Sequence, residues 1–240
     1  MNYLSWLFDP SKWVGPDAVL PARLLEHIGY SALVLLISIV IAVPLGAWIG
    51  HTGRGGTIVV GLSNGMRALP TLGLVVLLTL PFGTGLTGPL IALTLLAVPA
   101  VLAGTYSGVR NVDRAVVDAA KGMGMRDLAV LGRVELPNAL PLIFSGIRSA
   151  TLQVIATATI AAFVGLGGLG RPIFDGLAQR DFPQTVAGAI LVAVLAVVAD
   201  LGLAGLQRLV VSPGLHVAPP TARSRTARLF RRPDAAVEPA

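Results

Sequence analysis

Two uncharged stretches decide what this chain can fold into. Ile28 to Gly50 is 23 residues without a charge, and Ala68 to Val109 is a longer uncharged run. A helix rises about 1.5 Å per residue, so about 20 apolar residues cross the roughly 30 Å hydrocarbon core of a bilayer. The first run is one span. The second is too long for one helix, and the Pro/Gly-rich piece Pro81–Pro89 divides it as a turn would. Span two then covers 57–80, interrupted by Arg67 and Pro70, and span three about 90–108. Later apolar stretches give span four over about 140–164 and span five over about 186–209. Charged residues make up 12% of the chain, against roughly a quarter in soluble domains. The expected fold is an all-α integral membrane protein, a bundle of about five transmembrane helices.

Several chemistries fall away. With no cysteine, disulfides, zinc–thiolate sites and iron–sulfur clusters are excluded. The histidines His27, His51 and His216 are scattered without ligand spacing, so no metal site is expected. The net charge of +6 would suggest nucleic acid in a soluble protein; here the positive residues sit in particular loops, and topology explains them better. With five spans, one side carries Arg54, the 109–137 loop (Arg110, Arg114, Lys121, Arg126, Arg133) and the tail (Arg208, Arg223, Arg225, Arg228, Arg231, Arg232). The other side holds only Lys12, Arg23, Arg171 and Arg180. The positive-inside rule therefore places the N-terminus outside, and the 109–137 loop and C-terminus in the cytoplasm.

Three parts follow: an external N-terminal segment (1–27) without the pattern of a cleavable signal, a transmembrane domain (28–211), and a basic cytoplasmic tail (212–240). The tail is rich in Pro, Ala and Arg without apolar periodicity and is expected to be disordered. Its arginines suit either a solvated stop-transfer tail or contact with anionic membrane lipid.

The 113–137 loop is the most informative part of the chain. Asp113 is placed to cap a short helix that Gly122 or Gly124 would end. Val116, Ala119 and Ala120 share helical spacing and form a small apolar face, with Asp118 and Lys121 on the flanks. A second short helix is expected over about 126–134, stopping before Pro137, which begins span four. A helix–Gly–helix unit with small residues facing out suits insertion into a groove on another protein.

Here the chain resembles the permeases of ABC importers. Their cytoplasmic motif runs Glu-Ala-Ala, three residues, Gly, nine residues, Ile, one residue, Leu-Pro. This chain reads Asp118-Ala119-Ala120, Gly124, Val134 and Leu136-Pro137 with every spacing kept, Asp118 replacing Glu and Val134 replacing Ile. The resemblance implies that this loop is the coupling helix that docks on a cytoplasmic ATPase. Asn64-Gly-Met-Arg67-Ala-Leu-Pro70 is similar to an Asn-x-x-Arg-x-x-Pro element of methionine and osmolyte permeases. Val164–Gly170 resembles their glycine-rich segment after span four. The finer likeness, through Gly104–Gly108, Gly146-Ile147-Arg148, Gly188–Ile190 and Asp200, is to permeases for glycine betaine, choline and carnitine. It implies a non-enzymatic subunit that binds no cofactor. ATP and Mg would sit on partner ATPases, alongside a second permease, identical or paralogous, and an external substrate-binding protein. Methionine or another small amino acid is the alternative cargo, and an ion-coupled secondary carrier the alternative class.

Candidates for the pathway or its gate are Asn64, Arg67, Pro70, Arg148, Thr151, Thr159, Gly167 and Gly168. Arg148, Thr151 and Thr159 share one stripe of span four. Arg148 either lines a passage or snorkels to the surface, since an intramembrane charge needs a polar partner or cavity. Asp200 is expected to pair with an arginine. Pro70 marks a helix start or kink beside Arg67, for which a structural role is favoured. Gly165–Gly170 formally satisfies G-x-G-x-x-G, but no strand precedes it and no soluble βαβ unit frames it, so it reads as close packing or an external hinge. Gly46-x-x-x-Gly50 and Gly104-x-x-x-Gly108 permit close helix contacts, yet among 28 glycines such spacings are weak evidence for a dimer face. No Gly-Lys-Ser/Thr phosphate loop is present, so this chain is not the ATPase.

Overall fold

The computed structural model describes residues 4–16, 18–83 and 85–212. The Arg67 side chain and nearly all of the predicted tail, 213–240, lie outside the described residues. Among these residues the secondary structure is helical: α1 (Leu20–Thr52), α2 (Gly56–Ala68), α3 (Thr71–Thr79), α4 (Thr87–Arg110), α5 (Arg114–Gly122), α6 (Asp127–Val130), α7 (Leu136–Ala161), α8 (Gly170–Gln179) and α9 (Phe182–Val210). Four helical stretches are long and apolar enough to span a bilayer, and the bent pair α2–α3 is a fifth if it counts as one span.

The core is a three-helix slab of α1, α4 and α7. Small residues let these backbones touch. A Cβ on Gly46 or Gly50 would lie 2.8 Å from the Cβ of Thr105 or Val109 on α4. A Cβ on Gly104 would lie 2.7 Å from the Cα of Gly146 on α7, and one on Gly108 would lie 2.9 Å from the Ala139 carbonyl. Both G-x-x-x-G spacings are thus seams inside the chain. Val34, Ala42, Leu93, Val101, Ala150 and Val154 are buried in the cluster they enclose.

Three expectations about boundaries are corrected. The first helix begins at Leu20, so 20–27 is continuous with the helix of span one. Pro21 fits the first turn, the polar residues that follow are satisfied by contacts described below, and at 33 residues the helix is longer than the hydrocarbon core requires. Span two is broken: the axes on either side of residues 67–70 differ by 93°. Pro70 forces Leu69 out of helical geometry, to ψ 134°, and itself caps α3. The expected separate helix at 126–134 is instead the start of span four, which runs as one rod from Asp127 to Val164. Pro137 does not end it. A π-helical turn, Leu131–Glu135, absorbs the proline's missing N–H, and the Asn138 side-chain amide donates to the Val134 carbonyl at 2.7 Å.

Candidate functional site

At one end of the bundle the 113–137 segment forms a compact unit on its own small core. Asp113 caps α5, its carboxylate accepting from Ala115 N at 2.9 Å. The helix closes in a Schellman turn: Gly124 N donates to Lys121 O at 2.9 Å and Met125 N to Ala120 O at 3.2 Å. Gly124 takes φ +85°, which explains in physical terms why the motif fixes a glycine four residues after its second alanine. Lys121 and Asp127 pair at 3.0 Å across the turn.

The two alanines of the motif divide. Ala120 packs inward with Val117 and Val130, whereas Val116 and Ala119 face out. The expected face of Val116, Ala119 and Ala120 is therefore corrected to an outer edge of Val116, Ala119 and Met123, Ala120 forming the floor. The helical turn accounts for this, since i, i+3 and i+7 are aligned. Met123 is 78% exposed, and with Ala115, Ala119, Met125 and Val134 it rims an open apolar concavity. Asp118 is exposed on the flank, Leu136 packs against the bundle, and Pro137 is exposed in the first turn of α7. The motif residues thus form one element, with a backbone turn set by Gly124, Pro137 carried within the continuous helix that follows, and an apolar face left open.

Between α1, α7 and α9 lies a groove of about 350 Å³, walled by Ile28, Ser31, Thr151, Val154, Ala199 and Leu203. One turn from Thr151, Arg148 donates to both carboxylate oxygens of Asp200, each at 2.8 Å. This bidentate pair pins α7 to α9 and satisfies two charges inside the apolar spans. The threonine hydroxyls donate to their own helix, Thr151 to Ile147 O and Thr159 to Ile155 O. Asn64 and Pro70 lie elsewhere, exposed on α2 and at the α2–α3 break. Among the described side chains, Thr151 lines this groove, whereas Asn64 and Pro70 lie apart from it.

The glycine-rich segment is fastened at the opposite end of the bundle, by residues that sequence reasoning missed. Glu26 accepts from Gly168 N at 2.8 Å and from Arg23 at 2.9 Å. His27 is 1% exposed: its Nδ1 accepts from Leu169 N at 3.2 Å, and its Nε2 donates to the Ile155 carbonyl at 3.1 Å. Gly168, at φ +81°, turns the backbone amides toward these partners, and Gly167 lies so close to Glu26 that a side chain would collide with it. A polar Glu-His pair at the edge of an apolar run was the only sequence signal, and its partners lie 142 residues away. At the first end, His51 on the last turn of α1 donates from Nδ1 to Glu135 Oε2 at 2.5 Å. Both are nearly buried.

Comparison with known proteins places this geometry. Residues 42–212 match the family described as binding-protein-dependent transport system inner membrane component. Over 191 residues, 80% of this chain and 88% of the relative, the chain is 35% identical to the glycine betaine/carnitine/choline transport system permease protein OpuCB of Bacillus subtilis (strain 168). It is 37% identical over 184 residues to the carnitine transport permease protein OpuCD of Listeria monocytogenes, covering 76% of this chain and 82% of that one. Among solved structures, an inward-facing conformation of the MetNI methionine ABC transporter matches with a TM-score of 0.71 at 20% identity, covering 85% of this chain and 99% of that one. That likeness is one of fold. By its matched length and by these relatives, the chain belongs to the family of inner membrane components of binding-protein-dependent transport systems.

Proposed function

We propose that this chain is the permease subunit of an ATP-driven importer for quaternary ammonium osmoprotectants such as glycine betaine, choline or carnitine. The observation that carries the substrate class is the likeness to permeases named for these compounds along 88% of the length of one of them. The methionine transporter shares the fold at 20% identity and carries no argument about cargo. Dependence on a binding protein, which names the family, argues against an ion-coupled carrier.

The concavity around Ala119, Met123 and Val134 is the seat for a cytoplasmic ATPase that holds ATP and Mg. This orientation puts the N-terminus outside, in keeping with the arginine-rich loops on the docking side. A second permease, identical or paralogous, completes the pathway. The physical support is the α2–α3 break: lipid cannot satisfy non-helical backbone, so residues 67–70 must face protein or water. The apolar side chains beside it, Leu69 and Leu72, are exposed. Closure of the ATPases on ATP would swing the docking elements and open the pathway outward to a loaded external binding protein. Aromatics are only 5% of the chain, so tight cation–π recognition of a quaternary amine belongs on that binding protein.

The test is uptake of radiolabelled glycine betaine by cells making the whole transporter. ATP-dependent uptake is expected, and Gly124→Asp should abolish it while the protein still reaches the membrane. The turn has open space at Gly124, so the substitution acts through its left-handed backbone and the docking face. Uptake that survives both ATP depletion and the substitution would sink the importer reading. An intact complex that moves no betaine would redirect the search to other cargo.

A further inference from the structure

The geometry points to α1 as a tie rod between the ATPase-docking element and the glycine-rich segment at the opposite membrane face, fastened at each end by one buried histidine. The inference rests on the docking role proposed above for residues 113–137. His51 and His27 lie 24 residues apart on one helix, or about 36 Å at the helical rise. His51 holds Glu135 of the π-turn, directly after Val134 of the docking concavity. His27 and Glu26 hold the amides of Leu169 and Gly168 and the Ile155 carbonyl. Span four therefore meets α1 at both of its ends through polar contacts, and between them α1 lies against α4 at Gly46 and Gly50.

Each fastening is specific to its geometry. A carboxylate accepts only, so the proton of His51 sits on Nδ1. At His27 the acceptor is the Ile155 carbonyl, so the proton sits on Nε2 and Nδ1 is free to accept from Leu169 N. Glu135 is 3% exposed, and without His51 its carboxylate would have to reorganise the turn to find another partner. α1 thus runs beside the continuous span four, and the two histidines make the pair move together, so that a displacement of the docking element reaches the glycine turn through both. These are positioning residues: they touch neither nucleotide nor cargo.

The experiment uses the complete transporter in proteoliposomes, with glycine betaine as the probe, and reads three quantities: basal ATP hydrolysis, its stimulation by the loaded binding protein, and uptake. His51→Ala and His27→Ala are each expected to keep basal hydrolysis within about twofold while stimulation and uptake fall about tenfold or more. His51→Gln retains a donor and should recover uptake to within about threefold. A second form removes the question of folding. In the cysteine-free chain, the double variant His51→Cys/Glu135→Cys is bridged by a short thiol-reactive linker and then released by reductant. Uptake that rises on bridging and falls on release supports the rod. Uptake unchanged by bridging, or His51→Ala and His27→Ala within about twofold of wild type, would overturn it. Gly124→Asp in the same assay separates the two levels. If it too transports normally, the docking reading has failed; if it is inactive while bridging does nothing, only the rod has.

Discussion

The α4–α7 seam and the bent α2–α3 segment are both apolar and are built on different principles. In the seam, Gly104 and Gly146 bring two backbones into contact, and Ala92, Ala97, Ala150 and Ala158 are fully buried around them. In α2–α3, one helix is interrupted at Leu69–Pro70 and large side chains such as Ile58, Leu77 and Leu80 point away from the chain. Between membrane helices no hydrophobic force distinguishes a neighbour from lipid, so close packing of small residues must supply the preference. The seam has that packing within one chain. The α2–α3 segment has it on one side only: Val59 and Val75 are buried in the core and Gly88 of α4 lies against the backbone of Leu78 and Thr79, while its other side is left open. α9 occupies an intermediate position: only Ala187 and Gly188 of it are buried, yet Asp200 fastens it to α7.

The sharpest way to break this contrast is Gly104→Val. The new side chain would start 2.7 Å from a backbone atom that cannot give way, and overpacking of this kind costs about 3 kcal/mol. The expected result is loss of the folded protein from detergent extracts, read by its thermal aggregation profile; a wild-type profile would mean the seam is not tight. Next comes Asp200→Asn, which leaves Arg148 with half its partner. The pair is about a third exposed, so solvent screens it and the expected loss is a modest fall in the unfolding midpoint. The charge-free double variant Arg148→Met/Asp200→Leu should recover most of it, measured as a double-mutant cycle in unfolding. The smallest effect on the single chain is expected from Ile58→Ser. At an exposed site it should shift stability by less than about 0.5 kcal/mol, while lowering the fraction of paired permeases seen by light scattering. A large change in stability with pairing intact would mean that Ile58 is packed within the chain itself, as its neighbour Val59 is.

How legible the molecule was differs in the same way. The spans were legible because lipid demands long uncharged helices, and the 28–50 run admits one reading. The 113–124 helix and its closing turn were legible because their signals are local: Asp113 and Gly124 each constrain the backbone within a few residues. The helix start at Leu20 and the unbroken rod from Asp127 to Val164 were not, since both depend on where polar side chains find partners. Glu26 and His27 extend α1 because Gly168 and Leu169 wait for them, and Pro137 stays inside a helix because a π-turn takes up its missing hydrogen bond.

Taken alone, the amino-acid order determined that this chain lives in a membrane, roughly where its long helices lie, and which loop forms a capped helix closed by a glycine turn. All of these follow from solvent preference and from backbone chemistry acting over a single turn. Only the tertiary structure decided that the G-x-x-x-G spacings close inside the chain, that Arg148 belongs to Asp200, and that two scattered histidines hold the two ends of one helix. Those are pairings between residues far apart in sequence, and a burial pattern carries the identity of a face but not of the partner that covers it.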